Sequence, residues 1–368
     1  MSERAMIVAV GMSGGVDSTV TAWLLQRQGH EVIGLTMQIW DGSVALPDEG
    51  RSGCYGPGEA QDIAAAHAAA GKLGIRHVTV PLAEAYNRCV LDPFRADYRA
   101  GRTPNPCVVC NQRMKFGLLL DEARRQGIAF DCFATGHYAR VECDPAIGRY
   151  RLLRGVDATK DQSYFLSRLT QEQLRQVLFP LGGMRKEEVV RLAREAGFGE
   201  VADREESQDF IESASYAPLF DASDNCPGPI IDTTGRELGQ HRGIVHYTVG
   251  QRQGIGLATG ARLYVKELRP ETNTVVMGTR EEVFQNGCRA EDVNWISGAP
   301  PAAGAFCRAL LRYHHPGVEA RLTPLLDGAW QVSFAEPQFA VAPGQAAVFY
   351  TGDEVLGGGW IGRSQAES

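Results

Sequence analysis

The sequence predicts a doubly wound parallel α/β domain, then a small central domain and a C-terminal β-barrel, and three observations carry that prediction. Buried-type strands alternate with helical segments through the first 135 residues. The pattern turns irregular and glycine-rich after Gly197. From about Leu263 the helical period disappears and short apolar runs alternate with turns. A length of 368 residues allows two to three domains, and 44% hydrophobic residues supply more than one core. The expected boundaries are 1–205 for the α/β domain, 206–262 for the central domain and 263–368 for the barrel.

Taken in order, residues 6–10 are a short continuous apolar run, as a strand buried on both faces requires. A glycine-rich turn follows, and Val20, Trp23 and Leu24 recur at helical spacing until Gly29. A second strand is read at 31–36, a helix at 59–72, a strand at 77–82, a helix near 116–125 and a strand at 130–135. Ligands of such a sheet gather at the carboxyl ends of its strands. In the barrel the apolar runs are 264–268, 274–277, 307–311 and 330–334.

The net charge of −7 argues against a surface that binds nucleic acid as a whole, so any such contact is a local patch. Arg95, Arg99, Arg102, Arg113 and Lys115 form one candidate. The nine cysteines are too sparse for a disulfide framework. With no secretory signal and no apolar stretch of membrane-spanning length, a cytoplasmic protein with reduced thiols and no membrane partner is expected.

The loop Gly11-Met-Ser-Gly-Gly-Val-Asp-Ser18 lies between the first strand and first helix, where backbone N–H groups and a helix N-terminus favour an anion. It lacks the lysine of a Walker loop and the spacing of a dinucleotide fingerprint. Ser13 to Ser18 instead resembles the pyrophosphate loop of ATP pyrophosphatases, the adenine nucleotide α-hydrolase-like enzymes that cleave ATP between its α and β phosphates. The resemblance implies that Ser13 and Ser18 bond phosphate oxygens and that Asp17 helps hold Mg2+.

A Cys-x-x-Cys pair, Cys107 and Cys110, follows Arg102-Thr-Pro-Asn-Pro106. No second pair accompanies it to complete a zinc site. The surrounding motifs Gly101 to Pro106, Ala134-Thr-Gly-His-Tyr138, Lys160 to Leu166, Pro227-Gly-Pro229, His246 to Arg252 and Pro343-Gly-Gln345 resemble, in order, those of the tRNA-specific 2-thiouridylases, the MnmA family. The resemblance implies ATP-dependent replacement of the oxygen at carbon 2 of the wobble uridine by sulfur, in tRNAs for Lys, Glu and Gln, with a donor protein or sulfide supplying the sulfur. Carried over, Gly11, Met12, Ser13, Gly14, Gly15, Val16, Asp17, Ser18, Met37 and Gly136 contact ATP. Asn105, Pro106 and Cys107 border the flipped uracil, and Cys110 stands in the nucleophile's place. His137, Lys160, Asp161, Gln162, Arg312, Tyr313 and Gln345 match tRNA contacts.

Two departures stand out. Cys107 replaces the family's usual aspartate, and the stretch expected to carry the second catalytic cysteine reads Ser207-Gln-Asp-Phe-Ile211, with no cysteine. Either Cys107 and Cys110 form the sulfur relay themselves, or they join a third cysteine in holding a 4Fe-4S cluster. Cys54 is the favoured third ligand, because loops after parallel strands share one edge, and Cys226 is the alternative. A different sulfurtransferase or amidotransferase on the same fold, and an inactive tRNA-binding relative, remain the competing functions.

Overall fold

A computed structural model describes residues 5–47, 52–203, 209–257 and 262–363. Its first element, β1 (Ile7–Gly11), is central in a parallel sheet with β2 (Glu31–Gln38), β4 (Arg76–Pro81), β5 (Cys132–Ala134) and the strand Val177–Leu178. The order β4-β2-β1-β5-Val177–Leu178 reverses direction at β1. There Ile7 pairs with Glu31 on one side and Val8 with Cys132 on the other. Val8, Ala9 and Val10 have no exposed surface, which is why this strand is apolar at every position rather than alternating.

Helix α1 (Val16–Arg27) follows β1, and α2 (Glu59–Leu73) follows the short strand β3 (Gly53–Tyr55). Small buried residues on α1, Thr19, Thr21 and Ala22, let it lie close to its neighbours. The Thr21 hydroxyl donates to the Asp17 carbonyl at 2.8 Å and the Thr19 hydroxyl to that of Gly15 at 3.0 Å, so their burial leaves neither unsatisfied.

Helical structure expected at 116–125 begins earlier, at Pro106. It runs as α-helix through Val109, widens into a π-helix over Cys110–Leu118 and returns to α-helix over Leu119–Arg125. Proline at the first helical position and an Asn105 side chain accepting from Val108 N at 3.2 Å start it, a capping signal that apolar periodicity alone misses.

The central sheet contains Glu237–His241, Gly228–Asp232, Thr274–Gly278 and Tyr264–Arg269. The last two strands were expected in the barrel, but Ile230 to Asp232 pair in parallel with Val275 to Met277, so the 262/263 boundary falls one hairpin early. The 205/206 boundary lies outside the described residues, as do Ser207 and Gln208.

Among the described residues six strands between Phe284 and Ile361 close into a barrel, with Phe284–Trp295 pairing to both Trp330–Phe339 and Glu354–Ile361. A hairpin of the first domain, Ala139–Asp144 and Arg149–Arg154, extends the same sheet through the pair Glu354 and Leu153. No helix among the described residues is long and apolar enough to cross a membrane.

Candidate active site

The loop 11–18 sits at the carboxyl end of β1, at the point where the sheet order reverses and a crevice opens. Gly14 has φ of +76°, and a Cβ there would lie 2.7 Å from the Asp62 carbonyl oxygen in α2, so two constraints independently demand glycine. Gly15 caps α1 and makes no side-chain hydrogen bond there, so the cap residue itself places no acceptor over the leading N–H groups. Ser13 N donates to Ser18 Oγ at 3.3 Å, and Ser18 Oγ to the Gly15 carbonyl at 3.1 Å. Thr36 Oγ1 donates to the Met12 carbonyl at 2.7 Å, fastening the loop to β2 near Met37.

Asp17, in the first turn of α1, accepts from Tyr138 Oη at 2.8 Å and is bridged at both oxygens by Lys186 Nζ, 2.8 Å from each. Gly136 packs directly on it, since a Cβ there would lie 2.8 Å from Asp17 Cβ. Loop, Asp17 and Gly136 therefore form one wall. Tyr138 and Lys186, which sequence reasoning did not assign, anchor it. Tyr138 stood inside a quoted motif, whereas Lys186 carries no local signal.

A second constellation surrounds the Cys-x-x-Cys pair. Cys107 is in the first turn of the Pro106 helix, and Cys110 begins the π-helical stretch, whose irregular spacing is a common device at functional sites. Cys54 reaches the same pocket from β3, which pairs in parallel with the strand Asp209–Ile211, Gly53 opposite Asp209 and Tyr55 opposite Ile211. The Glu212 carboxylate accepts from Gly58 N at 2.8 Å and buried Glu59 from Ile39 N at 2.7 Å, bracing the Cys54 loop against both neighbours. Tyr55 stacks on Tyr86 at 5.5 Å beneath them.

Surrounding protein pushes all three thiols above the ordinary value, Cys110 to about 11, although Cys54 is exposed and Cys107 and Cys110 are half-buried. Cys107 is raised further by Cys54, Cys110 and Asp209. Lys115 opposes the rise at each of them and is the largest such influence on Cys110. Tyr86 is likewise pushed up, first by burial and then by Cys110, Cys54 and Cys107. Asp209, which stands in the stretch that lacks the cysteine, accepts from Tyr216 Oη at 2.9 Å. Its strand neighbour Phe210 packs on Phe94 at 5.0 Å.

Cys226 is exposed in the central domain, its Sγ 3.9 Å from the Pro227 carbonyl, and it does not figure among the charges acting on Cys107 or Cys110. Among the described residues no three His, Cys, Asp or Glu side chains are grouped so as to hold a metal ion. The 4Fe-4S centre expected at Cys54, Cys107 and Cys110 thus has no preformed ligand cage.

The expected tRNA contacts divide. Arg312 is exposed, and Tyr313 packs on Phe165 at 4.4 Å. Gln345 Nε2 donates to the Pro104 carbonyl at 3.3 Å, and Thr103 N to the Pro343 carbonyl at 2.7 Å, so the barrel buttresses the loop before Cys107. Lys160 is half-buried. Asp161 accepts from Gly155 N, Ser163 N and Arg154, and Gln162 Oε1 accepts from Tyr138 N at 3.0 Å. These two carboxyl and amide groups shape their own turn.

His137 is buried between Phe116 and Phe179, with Nδ1 2.7 Å from Thr135 Oγ1. Burial and then Lys115 hold it well below the usual imidazole range, hence uncharged. The basic cluster is largely neutralised from within. Arg95 pairs with Asp92, Arg99 with Asp221 and Asp224, and Arg102 with Asp97.

A glycine-rich loop before a helix N-terminus, at the switch point of a parallel sheet, is the arrangement of a doubly wound α/β domain whose ligand crevice lies at the carboxyl ends of its strands. Residues 6–212 match the model of the tRNA methyl transferase HUP domain, 220–279 that of its PRC-barrel domain, and 285–361 that of the aminomethyltransferase beta-barrel domain. The tRNA-specific 2-thiouridylase MnmA of Geotalea uraniireducens is 47% identical over 96% of this chain and 94% of its own. That of Geobacter metallireducens is 46% identical over the whole of both chains, and that of Carboxydothermus hydrogenoformans 45% identical over 96% of this chain and 97% of its own. The chain belongs to the tRNA-specific 2-thiouridylase MnmA family.

Proposed function

We propose that this chain is a tRNA-uridine 2-sulfurtransferase, a transferase that uses ATP to make 2-thiouridine. The observation that carries the reading is the similarity to MnmA proteins along the full length, at 46–47% identity. A uracil carbonyl oxygen is a poor leaving group. Attack of that oxygen on the α-phosphorus of ATP forms the new O–P bond and expels pyrophosphate with the electron pair. Mg2+ at Asp17, the loop N–H groups, Ser13 and Ser18 suit the charge that develops. Met37 and Gly136 border the nucleotide in this reading.

Sulfur then attacks carbon 2 and AMP departs. In the first reading a persulfide on Cys110 supplies its terminal sulfur, and the Cys107 thiolate attacks the sulfur of Cys110. The S–S bond breaks, the thiolated base leaves and a Cys107–Cys110 disulfide remains for an external dithiol to reduce. In a second reading Cys54, whose charge acts on Cys107, would join the pair in holding a 4Fe-4S cluster that would supply bound sulfide, and this requires the three thiols to move together, since no preformed cage stands among the described residues.

Asn105, Pro106 and Cys107 border the flipped base in both readings. The tRNA, from the Lys, Glu and Gln set, lies across the barrel edge at Arg312, Tyr313 and Gln345 and the turn 160–162, with His137 beneath it as a neutral support. In the first reading a donor protein's persulfide hands its outer sulfur to the Cys110 thiolate and keeps a thiol of its own, whereas free sulfide would serve only the second; both act in the cytoplasm. The three domains divide the work into activation (1–205), linkage (206–262) and tRNA grasp (263–368), the last two meeting one hairpin later than those numbers.

Mass spectrometry of anticodon-loop nucleosides tests the function. Wild-type protein with tRNA, ATP and a sulfur source should yield 2-thiouridine. Cys110→Ser should yield none while still releasing pyrophosphate, and normal thiolation by that variant would remove Cys110 from the mechanism. Anaerobically purified protein should contain iron and lose it in Cys54→Ala if the second reading holds. Stoichiometric absence of iron with full activity leaves the relay.

A further inference from the structure

Tyr164 lies in the motif Lys160 to Leu166 and has no part in the chemistry above, yet it is 1% exposed in the turn Ser163–Leu166. Its hydroxyl donates to the Ala346 carbonyl of the barrel at 2.9 Å. Burial and then the neighbouring Tyr350 push that hydroxyl far above the usual phenol range, so the proton stays on this bond and the oxygen is left as an acceptor. The side chain that hydrogen-bonds to it there is Asn105, whose own Oδ1 accepts from Val108 N at 3.2 Å. An amide carries donors at one end and an acceptor at the other. An acceptor at Tyr164 and a donor at Val108 together admit one orientation of Asn105.

The same turn reaches the far side of the cysteine pair. The Phe165 carbonyl accepts from Nδ2 of buried Asn111 at 3.5 Å. Asn105 precedes Cys107 and Asn111 follows Cys110, so residues 164 and 165 hold the Cys-x-x-Cys segment at both ends. The barrel also holds the chain that leads into it. Besides the contacts of Pro343 and Gln345 described above, a Cβ at Gly344 would stand 2.8 Å from Arg102 Cβ, so the two backbones lie against each other. We infer that Tyr164 is a positioning residue for the proposed thiolation: anchored on the barrel strand Ala346–Thr351, it sets the Asn105 amide and the Cys107–Cys110 segment against the flipped uracil. The inference rests on the reading of this chain as a 2-thiouridine synthase.

Steady-state thiolation by the full chain, with saturating ATP and a sulfur donor and 2-thiouridine read by mass spectrometry, gives kcat and the tRNA KM separately. Tyr164→Phe, which keeps the ring and removes the hydroxyl, should lower kcat by roughly 10- to 100-fold, the scale for misplacing reacting groups by about 1 Å, and leave the tRNA KM within about twofold. Tyr350→Phe is the matched control. It removes an equally buried hydroxyl, 3.1 Å from Ser163 Oγ in the same turn, and should keep kcat within about twofold. Unchanged kcat in Tyr164→Phe overturns the inference. So does an equal loss of kcat in Tyr350→Phe, the mark of a merely structural hydroxyl, or a raised tRNA KM at unchanged kcat, the mark of an RNA contact. Should Tyr164→Phe not fold, Asn111→Leu releases the other end of the segment and sacrifices little else, since Asn111 Oδ1 has no partner among the described residues. That variant should show the same fall in kcat at constant KM, and normal kcat there overturns the inference. Absence of 2-thiouridine with wild-type protein refutes the proposed function itself, and the inference with it.

Discussion

Replacing Gly14 with alanine should damage the protein far more than the same change one residue later. At position 14 the left-handed backbone costs an L-residue about 1–2 kcal/mol. The new Cβ would also stand 2.7 Å from the Asp62 carbonyl, a backbone atom of α2 that cannot swing aside, adding about 1–3 kcal/mol of overpacking. A total near 3 kcal/mol corresponds to a Tm lower by about 6–12 °C for a domain of this size. At position 15 the backbone is extended, and the nearest atom to an added Cβ is Ser13 Oγ at 3.6 Å, an ordinary contact. Gly15→Ala should therefore cost less than about 1 kcal/mol, the expectation for a helix cap. Thermal unfolding followed by circular dichroism reads both variants side by side. A Gly14→Ala protein within 2 °C of wild type, or a Gly15→Ala protein equally destabilised, would refute the account of the loop as a two-constraint turn pressed against α2.

Two further outcomes follow from the pocket and the barrel. Alkylation of Cys110 by iodoacetamide should accelerate with pH toward a midpoint near 11 rather than the ordinary 9.0, and Lys115→Met should move it higher by removing the cation that favours the thiolate; a midpoint at or below 9.0 contradicts the burial argument. Because the folded chain holds this proton more tightly than the unfolded one, the same group makes stability fall between about pH 9 and 11, measurable by urea unfolding across that window. Arg168→Ala should cost about 1–3 kcal/mol. Its buried guanidinium joins Gln112 of the π-helical stretch to Asp292 of the barrel, and unchanged chemical denaturation would deny that the barrel steadies the site.

The parallel sheet was readable because β1 and the middle of β2 are buried on both faces and so are mostly apolar, whereas β4 is largely half-exposed and mixes His77 and Thr79 with its valines. The loop 11–18 was readable because its glycines answer to local geometry, the φ of Gly14 above all. The two misplaced strands, Tyr264–Arg269 and Thr274–Gly278, show what was hidden. Apolar alternation says that a strand has a buried face but not which sheet it joins, and here the choice is made by the distant partner Gly228–Asp232.

Lys186 was equally silent. A lysine opening an amphipathic helix looks like a solvated charge until the fold brings it to Asp17, 169 residues away. Cys54 was chosen on topology alone, and it lies close enough to act on the charge of Cys107 while remaining exposed and forming no three-ligand cage with the pair among the described residues; the ion pairs that quench Arg95, Arg99 and Arg102 come partly from Asp221 and Asp224, which no local pattern ties to them.

The two-stranded ladder of β3 with Asp209–Ile211 joins segments more than 150 residues apart, through peptide groups rather than through side chains. Main-chain hydrogen bonds are indifferent to the residue that bears them. The placement of residues 209–211 against β3 therefore depends little on which side chains they carry, and a substitution there can change the chemistry beside the cysteine pair without rebuilding the scaffold.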